Sequence, residues 1–447
     1  MSRARWLVPA SLPLLAGTAA AHGGSLGGGA AAERAVPTWL VLLTGGAVVG
    51  ASFLLSTFLT DRALVRALHA ARRPLPVPRR LLRWAGRALG LAGLGTVLAA
   101  GLLGPTDPQG NAAVLLVWVG WWAGLVMVAY LLGDPWPAVD PVRTLGRLLP
   151  RRDREGDCVG GWLAVPALLA VVFVEVVTPL ASDPRLLAAA VGGYVALALA
   201  GAAALGPRTW TRDVDPLARV FELYGLVSPV ARTEAGLALR PPGAGLVGAD
   251  LRDSDVAAVV ALLWGTTFDG LVATPAFAAA AAPVLDAGVP AALLYAAVLA
   301  AGFLAFLAAY RLAAGAARRT APTCRSRSVL ARRFAVALVP IAAGYHLAHY
   351  LGYLLRLAPS LAQVPLDPLG TATLVLVLPG WLGVVSLCAV LAGHVLAVWV
   401  GHAVAFETFA GRLQAVRSQY ALALVLVGYT VVSLWIVSQP TRTPPGL

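Results

Sequence analysis

Apolar stretches about as long as a membrane is thick recur along this chain, and no other feature restricts its fold as strongly. A helix needs roughly 20 apolar residues to cross a hydrocarbon core of about 30 Å. Ten such windows can be placed, at about residues 37–60, 88–104, 113–133, 161–180, 186–204, 255–277, 290–310, 334–357, 376–405 and 418–438. Because lipid offers the backbone no hydrogen bonds, such stretches form helices. The sequence therefore predicts an all-α, polytopic transmembrane helix bundle.

The composition excludes a water-soluble fold. Hydrophobic residues make up 59% of the chain and charged residues only 12%, whereas soluble domains carry about 25% charged residues. No phosphate-binding loop of the Gly-Lys type is possible, because the sequence contains no lysine. Nucleotide-driven catalysis is therefore not predicted, and the sequence favours a function other than an enzyme's.

The arginines give the orientation, because basic residues stay on the cytoplasmic side of short loops. If the mature N-terminus is outside, the inner segments hold 28 of the 32 arginines that follow residue 21. These segments are residues 61–87, 134–160, 205–254, 311–333 and 406–417. The sequence thus predicts a multi-pass plasma-membrane protein with both mature termini outside. This topology explains the net charge of +13, so no nucleic-acid partner is predicted. The lipid bilayer is a predicted partner, and the sequence identifies no protein partner.

The two ends of the chain flank the membrane region. Residues 1–21 combine two arginines, a short apolar run and a small-residue site, which predicts a cleavable signal peptide. An uncleaved anchor is the alternative. We expect residues 22–36 to form a flexible external lead and residues 439–447 an external tail, so that the helical domain spans residues 37–438.

The inner segment 205–254 is longer than a linker needs to be. Asp215 and Pro216 begin a run in which apolar residues alternate with Arg219 and Glu222, a spacing that gives a helix one apolar side. We predict a cytoplasmic amphipathic insertion that lies at the membrane surface, with the prolines after it keeping the chain irregular. A partner-docking module is the alternative.

Ten helices can be divided into two halves of five. Because five is an odd number of membrane crossings, the second half would begin on the opposite side and insert in the inverted orientation. Inverted repeats are typical of transporters, whose sites lie where helices are broken near the midplane. The first helix contains Gly45-Gly46 and Gly50, and the sixth contains the stretch 265–270 with two glycines. A 5+5 inverted repeat with broken first and sixth helices is therefore one hypothesis.

Titratable residues inside the apolar windows indicate a functional site, because charge at bilayer depth is costly. Five of them lie about 18 to 22 Å from the inner ends of their helices at 1.5 Å per residue. They are Glu175, Asp269, His346, His349 and His394. This layer predicts a midplane site for a transition metal ion or a proton.

The histidines extend this hypothesis. His346 and His349 are three residues apart and share a helix face, and imidazoles with a carboxylate suit Zn, Cu or Fe. His394 lies on the next helix, and His402 with Glu407 could form a relay or supply a second ligand. A bound metal ion or haem, a relay without metal, and a structural role all stay open.

A set of short motifs carries a resemblance. They are residues 132–145 with two Asp-Pro pairs, Phe221-Glu222-Leu223-Tyr224-Gly225, Thr267-Phe268-Asp269-Gly270, Tyr345-His346-Leu347-Ala348-His349-Tyr350 and Gly393-His394. Together they resemble an uncharacterised family of polytopic membrane proteins of high-GC actinobacteria, with similar chains in haloarchaea. The resemblance implies a multi-pass membrane protein, and it assigns no ligand or catalytic residue.

Three functions follow from these patterns. The first is a transporter or permease with a midplane His/acid site for a cation or a proton-coupled substrate. The second is a haem- or copper-binding membrane redox or assembly factor. The third is a structural membrane scaffold.

Overall fold

The computed structural model describes residues 38–148, 161–234, 236–370 and 373–447, without the side chain of Arg79. The predicted signal peptide, the predicted external lead and Cys158 lie outside these residues. Cys324 and Cys388 are both exposed free thiols.

Ten apolar helices form the bundle, and each coincides with one predicted window. In chain order they are α1 (Thr38–Phe58), α2 (Arg79–Leu103), α3 (Ala112–Leu131), α4 (Ala164–Val177), α5 (Pro184–Leu205), α6 (Asp253–Val272), α7 (Ala291–Thr320), α8 (Arg327–Gln363), α9 (Leu382–Thr408) and α10 (Tyr420–Ser438). Within the described residues, nine helices are long and apolar enough to cross a membrane, and α4 is shorter. The predicted all-α helical bundle is confirmed.

Smaller elements connect these helices. Further helices are Arg62–Ala70, Trp136–Val139, Pro141–Leu145, Pro207–Thr209, Pro216–Val227, Ala244–Val247, Pro275–Asp286 and Arg412–Arg417, with 3-10 turns at Gly146–Leu148, Pro179–Ala181 and Val336–Leu338. The strands are β1 (Arg73–Leu75), β2 (Val230–Arg232) and β3 (Leu237–Leu239), and they form an antiparallel sheet in the order β1-β3-β2. This sheet joins the segment after α1 to the segment after α5, where the sequence predicted irregular chain.

Several helix boundaries differ from the predicted ones: α2 begins at Arg79, and α8 runs from Arg327 to Gln363. For α7 and α9, hydrogen bonds outside the apolar windows accompany the difference. Helix α7 continues to Thr320, and the Tyr310 hydroxyl donates to the Ala331 carbonyl at 2.5 Å. Helix α9 begins only at Leu382, since Leu374 hydrogen-bonds the Ser360 hydroxyl of α8 instead of starting a helix.

Helix α6 is the centre of the bundle. Within its most apolar window, 94% of the residues are buried, against 11% for α1, and α6 packs on α4, α7, α8 and α10. The prediction that α1 and α6 are broken is wrong, because both helices run unbroken through their glycines. In an inverted repeat, α1 and α6 would occupy equivalent positions, but α6 is enclosed by other helices and few residues of α1 are buried. This difference does not support the repeat.

The glycines of α6 serve close helix packing instead. A Cβ at Gly265 would stand 3.0 Å from Val172 of α4, and one at Gly270 would stand 2.0 Å from the Tyr345 hydroxyl of α8. Small residues let membrane helices approach closely. Both neighbours of α6 that carry site residues therefore pack against a glycine.

The inner segment 205–254 is built into the bundle. Most of the helix Pro216–Val227 is buried, including Phe221 and Tyr224, although Glu222 is exposed. The ring of Phe221 stacks on Trp136 at 4.8 Å. The segment thus differs from the predicted surface helix, because its polar residues are paired internally.

Buried ion pairs tie this segment to the N-terminal end of α6. Arg219 contacts Glu222 and Asp255 at 2.6 Å each, and Arg252 contacts Asp213 at 2.5 Å and Asp255 at 3.4 Å. The side chain of Asp255 is 5% exposed. Each buried charge in this network is compensated by an opposite charge.

Removing Asp255 should therefore be strongly destabilising. We expect Asp255→Ala to lower the free energy of unfolding by about 3 kcal/mol, because Arg219 and Arg252 each lose one of their acidic partners and Arg219 keeps, among the described residues, only the exposed Glu222. Asp253→Ala, in the same first turn of α6, is the matched control. Reversible denaturation in mixed micelles measures the difference, and equal effects of the two substitutions would contradict this role of the network.

Candidate functional site

Asp269 is the centre of a buried polar cluster between α6 and α8. The Tyr350 hydroxyl donates a hydrogen bond of 2.9 Å to its carboxylate, and His349 Nε2 lies 3.3 Å from the same oxygen. Asp269 itself is 6% exposed. The cluster thus holds a carboxylate, an imidazole and a phenol in direct contact.

Glu175 adds a second carboxylate from α4. It is buried, and it lies within electrostatic range of Asp269, Tyr350 and Tyr353. Its Oε1 atom has no hydrogen-bond partner among the described residues. The close packing of α4 on Gly265 explains this proximity, because both carboxylates lie in the last turn of their helices.

His346 lies in a cage of aromatic rings beside this cluster. Its Nδ1 is 3.1 Å from the Tyr130 hydroxyl, while its Nε2 has no partner in the described part of the chain. The rings of Trp122, Tyr130, Tyr224 and Tyr350 lie 4.7 to 6.1 Å from its own. A π-helical stretch of α3, Leu115–Leu125, supplies Trp122, and such stretches are frequent at functional sites.

Three predicted site residues lie elsewhere. His394 is fully buried, and its Nδ1 bonds the Val390 carbonyl of its own helix at 2.8 Å. His402 Nε2 bonds the Leu59 carbonyl at 2.9 Å, and Glu407 is exposed. The structure therefore brings together Glu175, Asp269, His346 and His349, and it joins neither His394 nor the predicted relay of His402 and Glu407 to them.

The donor set does not make a metal centre by geometry. Over the described ranges, no group of three or more His, Cys, Asp or Glu residues could hold a metal ion. The predicted ligation of Zn, Cu, Fe or haem stays a prediction. Proton exchange within the cluster needs no such set of ligands.

The sequence reasoning missed the tyrosines of the site. Tyr350 is one helical turn from His346, and the two rings lie 4.7 Å apart. The i, i+4 spacing could have identified Tyr350. Tyr130 comes from α3, and only the packing of α3 on α8 brings it to His346.

A cavity of about 310 Å³ opens on the predicted inner side of this site. It is lined by Asp134, Trp136, Pro137, Arg143, Thr211, Arg212, Ala218 and Glu222. Aromatic rings connect it to the buried cluster: Trp136 lies 5.7 Å from Trp121, Trp121 lies 5.8 Å from Trp122, and Trp122 lies 5.5 Å from His346.

Two carboxyls by the cavity are held in apolar surroundings. Burial raises the pKa of Asp134 to about 6, although the hydrogen bond from the Trp136 backbone N–H acts to lower it. Burial likewise raises the pKa of Asp140 to about 6, although Asp140 caps the helix Pro141–Leu145 by accepting from Arg143 N at 3.1 Å.

The fold and composition define the class of this chain as a multi-pass integral membrane protein with a buried, protonatable site. No protein-family model matches the sequence, and no curated protein or solved structure is significantly similar to it.

The raised pKa of Asp140 makes a pH-dependent contribution to stability. A folded-state pKa of about 6 lies above the unfolded value of about 3.9, so stability is lost as the pH rises from about 4 to 6. We expect Asp140→Asn to raise the free energy of unfolding at pH 8 by at most about 3 kcal/mol, at 1.36 kcal/mol per pKa unit. The gain should shrink toward pH 5.

Unfolding curves in detergent at both pH values measure this effect. Asp183→Asn is the matched control, since Asp183 is an exposed helix-capping carboxylate of α5. A gain for Asp140→Asn that is the same at pH 5 and pH 8 would show that protonation is not its cause.

Proposed function

We propose that this chain is a plasma-membrane permease that moves a solute together with protons, and that Glu175, Asp269 and His349 hold the coupling proton. The observation that carries the proposal is the contact of Asp269 with His349 and Tyr350, with the second carboxylate of Glu175 in electrostatic range. Ionisable groups in transmembrane helices are costly unless they serve a pathway or a binding site.

Electrostatics favours a proton or small cation at this position. Two carboxylates in an apolar interior repel strongly when both are charged. His349 can compensate one of them when it is protonated, because its Nε2 lies 3.3 Å from Asp269. One further proton shared by Glu175 and Asp269 removes the remaining repulsion. The number of protons that the cluster binds therefore changes with pH.

Other protonatable side chains continue from this cluster toward the inner cavity. Tyr350 contacts both Asp269 and the ring of His346, and His346 Nδ1 contacts the Tyr130 hydroxyl. The ring of Tyr130 lies 5.3 Å from that of Tyr224, which belongs to the buried inner helix Pro216–Val227. Two of these links are hydrogen-bond contacts, Tyr350 to Asp269 and Tyr130 to His346, while the other two are ring contacts. Proton exchange with the predicted inner side would therefore also use water molecules between these groups.

Neutralising Asp269 should abolish coupled proton movement. In proteoliposomes with an entrapped pH-sensitive dye, a panel of metal ions and of organic cations, anions and neutral solutes is applied across an imposed gradient. We expect at least one solute to drive proton flux, and Asp269→Asn to lower that flux at least about 100-fold, as for loss of an essential proton carrier. Asp286→Asn, an exposed carboxylate at the end of the helix Pro275–Asp286, should leave the flux unchanged.

The outcome against the proposal is clear-cut. Equal flux of every solute and of protons in the wild type and in Asp269→Asn would overturn it. Elemental analysis and an absorption spectrum of the detergent-purified protein separate the other possibilities. A stoichiometric metal would indicate metal binding, and a Soret band would indicate haem.

The proposal also requires the orientation given by the arginines, with the segment 311–333 inside. Cys324 lies in this segment and is exposed, which makes it a native reporter. In a Cys158→Ser/Cys388→Ser variant, we expect a charged, membrane-impermeant maleimide to label Cys324 in inverted vesicles and not in intact cells. The matched control is Ala287→Cys on the same background, at the predicted outer end of the helix Pro275–Asp286. The reverse pattern would refute the orientation.

A further inference from the structure

The predicted inner end of α2 packs against the short helices Trp136–Val139 and Pro141–Leu145, which lead into the turn Gly146–Leu148. A Cβ at Gly86 would stand 2.9 Å from that of Ala138, and one at Gly90 would stand 1.7 Å from the Val139 carbonyl oxygen. Helix α2 therefore touches the helix Trp136–Val139 backbone to backbone. Arg83 and Arg87 lie in this part of α2, and Arg147 lies in the turn that follows the two short helices.

These three arginines, which we call the basic cluster, have no acidic contact among the residues that the structure describes. Burial and the neighbouring charges of Arg87, Arg143 and Arg83 lower the pKa of Arg147. Arg143 is compensated, because Asp140 lies 3.8 Å away and Asp134 is in electrostatic range. In the part of the chain that the structure describes, no carboxylate contacts Arg83, Arg87 or Arg147. Within the described ranges, the basic cluster therefore presents net positive charge.

Large apolar side chains surround the cluster. Trp84 is 68% exposed and Leu148 is 83% exposed, and the guanidinium of Arg87 lies 5.1 Å from the ring centroid of Trp84. Tryptophan and arginine together are typical of the level where lipid headgroups meet acyl chains. A free anion in water would use the arginines and leave the apolar side chains uncovered.

We propose that the basic cluster binds the headgroup phosphate of an anionic glycerophospholipid in the inner leaflet, with Trp84 and Leu148 against its acyl chains. Guanidinium groups suit phosphate oxygens in both charge and geometry. Basic pockets beside transmembrane helices on the cytoplasmic side bind anionic lipids by this chemistry. The site does not depend on the proposed transport function, since it shares no residue with the Asp269 cluster.

Native mass spectrometry of the full-length protein in detergent tests the proposal with phosphatidylglycerol and phosphatidylcholine as probes. We expect the wild type to retain phosphatidylglycerol preferentially. In Arg87→Gln/Arg147→Gln, this preference should fall roughly 30-fold, because each arginine near an anionic surface contributes a factor of about five. Arg318→Gln/Arg319→Gln, at the exposed end of α7, is the matched control and should keep the preference.

Two further arms keep the test sharp. Arg87→Lys/Arg147→Lys should retain most of the preference, which separates loss of charge from loss of folding. A large molar excess of inorganic phosphate should fail to displace phosphatidylglycerol. Displacement by phosphate, or an unchanged preference in the glutamine variant, would overturn the lipid site.

Discussion

Enclosure of α6 by other helices is the constraint on which the rest of the structure depends. An α-helix surrounded by protein can carry polar side chains only if its neighbours compensate them. Helix α6 carries Asp255 at one end and Asp269 at the other, and both are buried. Arginines accordingly contact Asp255, and an imidazole and a phenol contact Asp269.

The two ends of α6 use opposite electrostatic solutions. Asp255 is held by the fixed charges of Arg219 and Arg252, which stay ionised at any physiological pH. Asp269 faces His349 and the second acid Glu175, all of which can gain or lose a proton. Fixed ion pairs at the N-terminal end of α6 thus accompany a cluster of titratable groups at its C-terminal end. The charge at Asp255 is therefore fixed, and only the Asp269 end of the central helix can change its charge with pH.

Close helix packing explains how the cluster is assembled. Gly265 and Gly270 bring α4 and α8 against α6, and Gly344 of α8 meets Gly393 of α9 so closely that a Cβ at Gly344 would stand 2.6 Å from the Ala389 carbonyl oxygen. In lipid, such contacts replace the hydrophobic effect as the source of helix association. Gly45, Gly265 and Gly270, which the sequence suggested as helix breaks, are therefore contact points, while Gly50 has no described neighbour within 4 Å of a Cβ position.

The sequence by itself determined the ten apolar helices, because hydrocarbon leaves the backbone no alternative to helix formation. It also determined which carboxylates and imidazoles lie within those helices, and it located Asp269, His346 and His349. Only the tertiary structure decided which of them meet. His394 was expected beside His346 because the helices are adjacent, yet it bonds the carbonyl of Val390 in its own helix. Tyr130 and Tyr224 joined the site from distant segments, since side-chain contacts depend on how helices rotate and cross, which hydrophobicity alone does not fix.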